Sequence, residues 1–264
     1  MDRIPVFAGM THFIIMAIKE GTIKQSASRL IVLFLADLLF PRQCVVCERE
    51  GEWLCAPCRA KLGFLPRQTC LLCGADNGGK ICVSHNLFID KFFSAFSYRD
   101  EAVNKLIKLF KYHFSREAGE TIAELLIDFL SAENNKKILK LLDHLASRGD
   151  LLVLAVPLSS RRERWRGFNQ AELLAKIIAD NFDWSFDRQN LIRTKHTKPQ
   201  AELSAFKRQT NLTKAFVWRG ENLAGQAVLL IDDVATTGAT LNECARALKA
   251  AGASQVYGLT IAHG

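Results

Sequence analysis

Eight side chains between residues 44 and 85 have the types and spacing of soft-metal ligands. They fall as Cys44-x2-Cys47, Cys55-x2-Cys58, Cys70-x2-Cys73 and Cys82-x2-His85, an internal repeat in which each half holds two close pairs joined by a loop of seven or eight residues. Such a loop can bring four ligands into the tetrahedron that Zn2+ prefers. A single Cys-x2-Cys could be a redox dithiol, but eight ligands are the number that two closed structural zinc sites require. One zinc, disulfides or an iron–sulfur cluster are the alternatives, and an interleaved pairing of the four pairs would use the same residues as a sequential one. The remaining cysteine, Cys244, shares the helical spacing of Leu241, Ala245 and Leu248 and is expected in the core.

A second constellation suits a phosphorylated sugar. The apolar run Val228-Leu229-Leu230-Ile231 leads into Asp232-Asp233-Val234-Ala235-Thr236-Thr237-Gly238-Ala239-Thr240. Two carboxylates at the tip of a buried strand can accept hydrogen bonds from ribose hydroxyls, directly or through metal-bound water. Hydroxyls and free N–H groups at the start of the next helix bind a phosphate, and Gly238 lets it approach closely. The plainer reading makes Thr236 or Thr237 an N-cap and the aspartates a solvated turn. No Gly-x4-Gly-Lys and no Gly-x-Gly-x2-Gly occurs, which argues against a nucleoside triphosphatase or a dinucleotide enzyme. Upstream, Arg161, Arg162, Arg164 and Arg166 lie within six residues of one another. They could neutralise a diphosphate, or form a solvated basic turn, or contact a nucleic-acid backbone with Trp165 stacking on a base.

The elements that must hold these groups can be read from periodicity. Phe92–Phe96, Leu151–Val156, Val228–Ile231 and Val256–Ile261 read as strands, the last three as buried on both faces. Helical faces recur at Val103-Leu106-Ile107-Phe110, Ile122-Leu125-Leu126-Phe129, Ile138-Leu141-Leu142-Leu145 and Ala171-Leu174-Ala175-Ile178. Alternating strands and helices predict an α/β fold with a mostly parallel sheet, its ligands at the carboxyl ends of the strands. The expected organisation is a poorly ordered tail (1–25), a short helix (26–39), a zinc-ribbon module (40–88) and the α/β domain (89–264). Mean hydropathy is +0.05 and charged residues interrupt the apolar stretch at Leu30–Phe40, so no membrane span is expected. No secretory signal is evident, and a reducing, cytoplasmic compartment is expected. Lys plus Arg number 35 against 27 Asp plus Glu, and the net charge of +8 attracts phosphates of either a small substrate or a nucleic acid.

The Asp-Asp and Thr-Thr-Gly segment resembles the type I phosphoribosyltransferases. Together with Leu39-Phe40-Pro41 before the first Cys-x2-Cys and with Arg166-Gly167-Phe168-Asn169-Gln170, it is similar to the ComF/GntX family, in which a cysteine-rich zinc module precedes such a domain. The resemblance implies that Asp232 and Asp233 hold the ribose of 5-phosphoribosyl-1-diphosphate. It further implies that Ala235, Thr236, Thr237, Gly238, Ala239 and Thr240 hold its 5-phosphate, and that Arg161, Arg162, Arg166 and Gly167 hold its diphosphate with Mg2+. Thr197, Gln200, Arg208 and Asn211 match a mobile segment that closes over substrate. If the chain is an active enzyme, a nitrogen nucleophile displaces the diphosphate. The family is associated with DNA uptake in competence, so single-stranded DNA and competence proteins are candidate partners. The alternative is a non-catalytic factor that handles incoming single strands. His113 and His196 receive no role.

Overall fold

The computed structural model describes residues 41–112, 115–194 and 215–264. The tail and short helix expected before residue 40 lie outside them. Seven strands are seen among the described residues: β1 (Lys91–Ser97), β2 (Leu151–Ala155), β3 (Phe186–Asp187), β4 (Leu191–Arg193), β5 (Phe216–Trp218), β6 (Ala227–Ala235) and β7 (Gln255–His263). Five form one sheet in the order β1-β7-β6-β2-β3, every pairing parallel, and β4 pairs antiparallel with β5. The mostly parallel α/β class expected from the alternation of elements is the class observed.

The α-helices among the described residues are α1 (Ala56–Arg59), α2 (Glu101–Tyr112), α3 (Arg116–Ser131), α4 (Lys136–Ala146), α5 (Ser160–Arg166), α6 (Gln170–Phe182) and α7 (Ala239–Ala250). One face of the sheet, carrying Val153, Leu229, Ile231, Leu259 and Ile261, is covered by the apolar faces of α2, α3, α4 and α6. The other, carrying Leu154, Val228, Leu230 and Val256, packs on α7 and on Phe216 of β5. Because alternate side chains of a strand leave on opposite faces, a strand covered on both sides must be apolar throughout. That is why the first five residues of β6 are all buried.

The cysteine-rich segment has no core of its own. Its first half places Cys44, Leu54, Cys55 and Cys58 in the core under α3, and Arg59 bridges Glu124 and Asp128 on that helix. Its second half places Leu71, Ile81 and Leu87 in the core on the opposite face. Between them the segment runs along the free edge of β1, where Phe92 N–H bonds Gly79 at 2.7 Å and Leu65 N–H bonds Ala95 at 2.8 Å. The two halves therefore straddle the edge of the sheet and blunt the outer side of β1, which would otherwise be unpaired.

Candidate functional site

The eight metal-ligand candidates gather into two clusters, Cys44, Cys47, Cys55, Cys58 and Cys70, Cys73, Cys82, His85, with the ligand atoms of each within 4.8 Å of one another. The pairing is sequential, not interleaved. Within the clusters, Cys47 and Cys55 sulfurs lie 3.6 Å apart, as do those of Cys73 and Cys82. A tetrahedron with Zn–S bonds of about 2.3 Å has edges of about 3.8 Å, so the donors already stand near metal-binding positions. Burial pushes the Cys44 and Cys70 thiols up, but main-chain N–H groups, from Cys55 and from Cys73 above all, outweigh it and bring each down to about 6. His85 Nε2 is buried with no hydrogen-bond partner, as a metal-ligating nitrogen would be. These observations fit structural zinc. Cys244 is fully buried in α7 among core residues, and burial pushes its thiol well up.

At the carboxyl end of the sheet, β6 extends through Asp232 and Asp233 to Ala235 instead of stopping at Ile231. The two carboxylates stand side by side at the strand's end as expected, and strand alternation sends them to opposite faces. Asp233 turns toward α2 and α5, is 8% exposed, and forms an ion pair with Lys111 Nζ at 3.0 Å. Asp232 turns toward α7 and stays half open, accepting from Asp233 N–H at 2.9 Å. Confinement by protein, then the neighbouring Asp233 charge, push its carboxyl up to about 7 against the opposing pull of Lys111 and Arg166. Lys111 itself is shifted upward: burial acts against its charge, and the Asp233 carboxylate outweighs it.

Asp232, Val234, Ala235, Thr236, Thr237, Gly238, Ala239, Thr240 and Leu241 line a cleft of about 40 Å3. Gly238 is the N-cap of α7 and adopts φ +67°, a left-handed conformation that glycine takes without strain, and no side chain caps this helix. The plain Thr cap is thus not what starts α7. The cleft therefore lies at the N-terminus of α7, the end of a helix that favours an anion. A larger cavity of about 520 Å3 between β5 and the far end of α7, lined by Phe216, Trp218 and Arg246 among others, includes none of these residues.

The arginine-rich segment, for which a solvated basic turn was one reading, is a two-turn helix, α5. Ser159 Oγ accepts from Arg162 N–H to start it, and Gly167 at φ +78° ends it. Asn169 then caps α6 through Ala171 N–H and donates to the Val156 carbonyl, tying α6, expected from about Phe168, to the end of β2. Arg162 and Arg166, four residues apart, share the partly buried face of α5, whereas Arg161 is exposed on another. Arg166 donates to Gln170 Oε1 at 2.9 Å, and its Nε is buried without a partner. Burial and the Arg162 charge lower its pKa, with Asp233 opposing. Arg193 on β4, stacked 5.5 Å over Phe216, is likewise depressed by burial and by Arg162. Arg162 thus lies within electrostatic reach of both Arg166 and Arg193, and positive charge from two elements gathered in this way can receive an anion.

Thr197, Gln200, Arg208 and Asn211 lie outside the described residues, as do His113 and His196. Lys111, Gln170 and Arg193 were missed as site residues. Lys111 had a sequence signal, for it follows Val103 and Ile107 at four-residue steps along the buried row of α2.

A parallel α/β sheet with Asp-Asp and a glycine-capped loop at its carboxyl end, fronted by paired cysteine clusters, defines a phosphoribosyltransferase-type domain carrying a double zinc ribbon. A sequence model of the double zinc ribbon domain matches residues 35–85, and one of the phosphoribosyl transferase domain matches residues 169–262. Competence protein F of Haemophilus influenzae is 33% identical over 237 residues, which cover 83% of this chain and 97% of that one. Competence protein ComFC of Bacillus subtilis is 28% identical, covering 76% and 79%. DNA utilization protein YhgH of Salmonella typhimurium is 35% identical over 152 residues, 57% of this chain and 63% of that protein's length. The chain belongs to the ComF family of competence and DNA-utilization proteins. No helix among the described residues is long and apolar enough to cross a membrane.

Proposed function

We propose that this chain binds 5-phosphoribosyl-1-diphosphate and transfers its phosphoribosyl group to a nitrogen nucleophile. The observation that carries the reading is the adjacency of three complementary features: the cleft under Gly238, the Asp232 carboxylate in its wall, and the Arg162–Arg166–Arg193 group beyond Asp233. The 5-phosphate occupies the loop Ala235–Thr240, and Asp232 accepts from a ribose hydroxyl. Arg162 and Arg166 receive the diphosphate. In the reaction the nitrogen lone pair attacks the anomeric carbon, the bond to the diphosphate oxygen breaks with its electrons staying on that oxygen, and the nucleophile's proton passes to solvent water. Arg166 stabilises the charge that grows on the departing oxygen. An all-oxygen donor set led by half-open Asp232 suits hydrated Mg2+, which when bound would add positive charge to the leaving diphosphate. Calorimetry with 5-phosphoribosyl-1-diphosphate, with and without Mg2+, tests binding; diphosphate release over a panel of bases tests transfer. No binding at millimolar ligand would exclude the reading.

A second reading, binding of single-stranded DNA, is favoured by the outward face of α5, where Arg161, Arg164 and the 54%-exposed Trp165 stand together, and by the printed names of the relatives. Its contacts are to phosphate and to base faces, so affinity should fall as salt rises and show little sequence preference. Affinity that does not change between 50 and roughly 200 mM salt would contradict it.

A further inference from the structure

We infer that Leu71, in the metal-binding turn Cys70-x2-Cys73, is a positioning residue for the phosphate loop, so that metal at the second cluster and a phosphate at Gly238 bind cooperatively. The inference rests on the phosphoribosyl reading of that loop.

Leu71 is 2% exposed, whereas Leu72 beside it is 45% exposed. The buried side chain is spent on Gly238: a Cβ built on that glycine would overlap Leu71 Cδ2 and lie 2.7 Å from Leu71 Cγ. Gly238 is therefore fixed twice, by its left-handed backbone and by a leucine from the zinc ribbon that fills the space a side chain would take. The other arm of the same cluster also reaches the loop. Three residues past His85, Phe88 N–H donates to Asn242 Oδ1 at 2.6 Å, and Asn242 N–H bonds the Gly238 carbonyl at 2.9 Å. His263, edge-on to Phe92 at 5.2 Å, meets main-chain groups of both Leu71 and Thr236. The turn that carries Leu71 is closed by Gly74 N–H to Cys70 O, 3.0 Å, and by Cys70 N–H to Ala75 O, 2.8 Å.

Between these two arms the ligand set is one tie beside the Gly79 N–H bond to Gln68 O at 2.9 Å, since Cys70 and Cys73 come from one arm and Cys82 and His85 from the other. A metal ion that joins them holds Leu71 and Phe88 on either side of the first turn of α7. Without it the arms lose that tie, and the wall that Leu71 gives the loop is held less firmly. The first cluster serves as an internal control: its polar contacts to the α/β domain, Arg59 to Glu124 and Asp128 and the Lys105 ammonium to the Val45 carbonyl, go to α3 and α2. Linkage is reciprocal, so a phosphate that favours the clamped loop must also retain the second metal.

The test uses zinc-loaded full chain, with ribose 5-phosphate as the probe. Zinc release to a chromogenic chelator is followed with and without the probe, and Cys82→Ser identifies the release belonging to the second cluster. Saturating ribose 5-phosphate should slow that release by roughly tenfold, within the usual range of coupling, and leave the first cluster unaffected. Leu71→Ala should remove the slowing and weaken ribose 5-phosphate by about the same factor, Leu71→Met should restore both, and Leu72→Ala should change neither. If ribose 5-phosphate binds wild type calorimetrically yet leaves both release rates unchanged, the coupling is refuted while the phosphate reading stands. Absence of any ribose 5-phosphate binding to the wild type overturns the phosphate reading and this inference with it. The wild-type measurement decides the matter even if Leu71→Ala does not fold.

Discussion

Asp232 and Asp233 are neighbours in the chain with different duties. Asp233 satisfies a largely buried lysine, and Asp232 is left confined, half open and reluctant to ionise. Its folded-state value of about 7 lies above the roughly 3.9 of a free carboxyl, so the folded state holds a proton that the unfolded chain has released. Stability from this group therefore falls as pH rises from about 4 through about 7 and is level beyond. Asp232→Asn should raise the melting temperature at pH 8 and leave it near wild type at about pH 4, while weakening ribose 5-phosphate by roughly 10- to 100-fold for a lost charge-assisted hydrogen bond. An equal melting shift at both pH values would show that Asp232 does not titrate in this window. Lys111→Met leaves Asp233 buried without its cation and should cost about 3 kcal/mol in urea unfolding, whereas Lys111→Arg should lose less. The acidic pair was legible because four apolar residues precede it. Its division of labour was not, because which face each carboxylate takes depends on where β6 ends, and strand ends carry little signal.

At the scale of elements, the long strands and amphipathic helices followed their periodicity, since burial on one or both faces writes itself into residue spacing. Helix α5 did not. Its seven residues carry four arginines and no apolar stripe, and it exists because Ser159 caps it and Gly167 stops it. Likewise β3, β4 and β5, two or three residues each, are too short to show a period. The helical setting of the arginines makes a sharper expectation than a loop would, because Arg166 is aimed by Gln170 while Arg161 points elsewhere. Arg166→Ala should weaken diphosphate by roughly 10- to 100-fold and ribose 5-phosphate much less. Arg161→Ala should leave diphosphate affinity unchanged in the same titration. Equal losses from both would mean that the segment acts as a diffuse basic patch.

Across the whole molecule, the two cysteine clusters lend residues to opposite faces of one sheet. Metal binding and domain folding are then a single event, since closed zinc sites contribute directly to folding free energy. Chelation should lower the melting temperature of the whole chain in one calorimetric transition. A ribbon that melts separately and leaves the remaining transition in place would contradict the shared cores. The spacing of the ligands was plain in the sequence, but their sequential pairing and the straddled edge were not, because tertiary packing decides both.

The straddled edge also bears on how the chain comes to fold as it is made. β1 pairs only with β7 in the sheet, and Ser94 lies opposite Thr260, 166 residues further on. At roughly 5–20 residues per second, a nascent β1 waits about 10–30 s for its partner, with Phe92, Phe93 and Phe96 unburied. The metal ligands, all within the 42 residues from Cys44 to His85, emerge before β1, and their short loops close cheaply. Once loaded, they can lay Gly79 and Leu65 along one side of β1 before β7 exists. The ribbon would then serve as a chaperone built into the chain, guarding a sticky strand through synthesis. Translation in zinc-depleted extract should therefore yield aggregated chains that later zinc does not rescue, whereas zinc present during synthesis should keep them in solution.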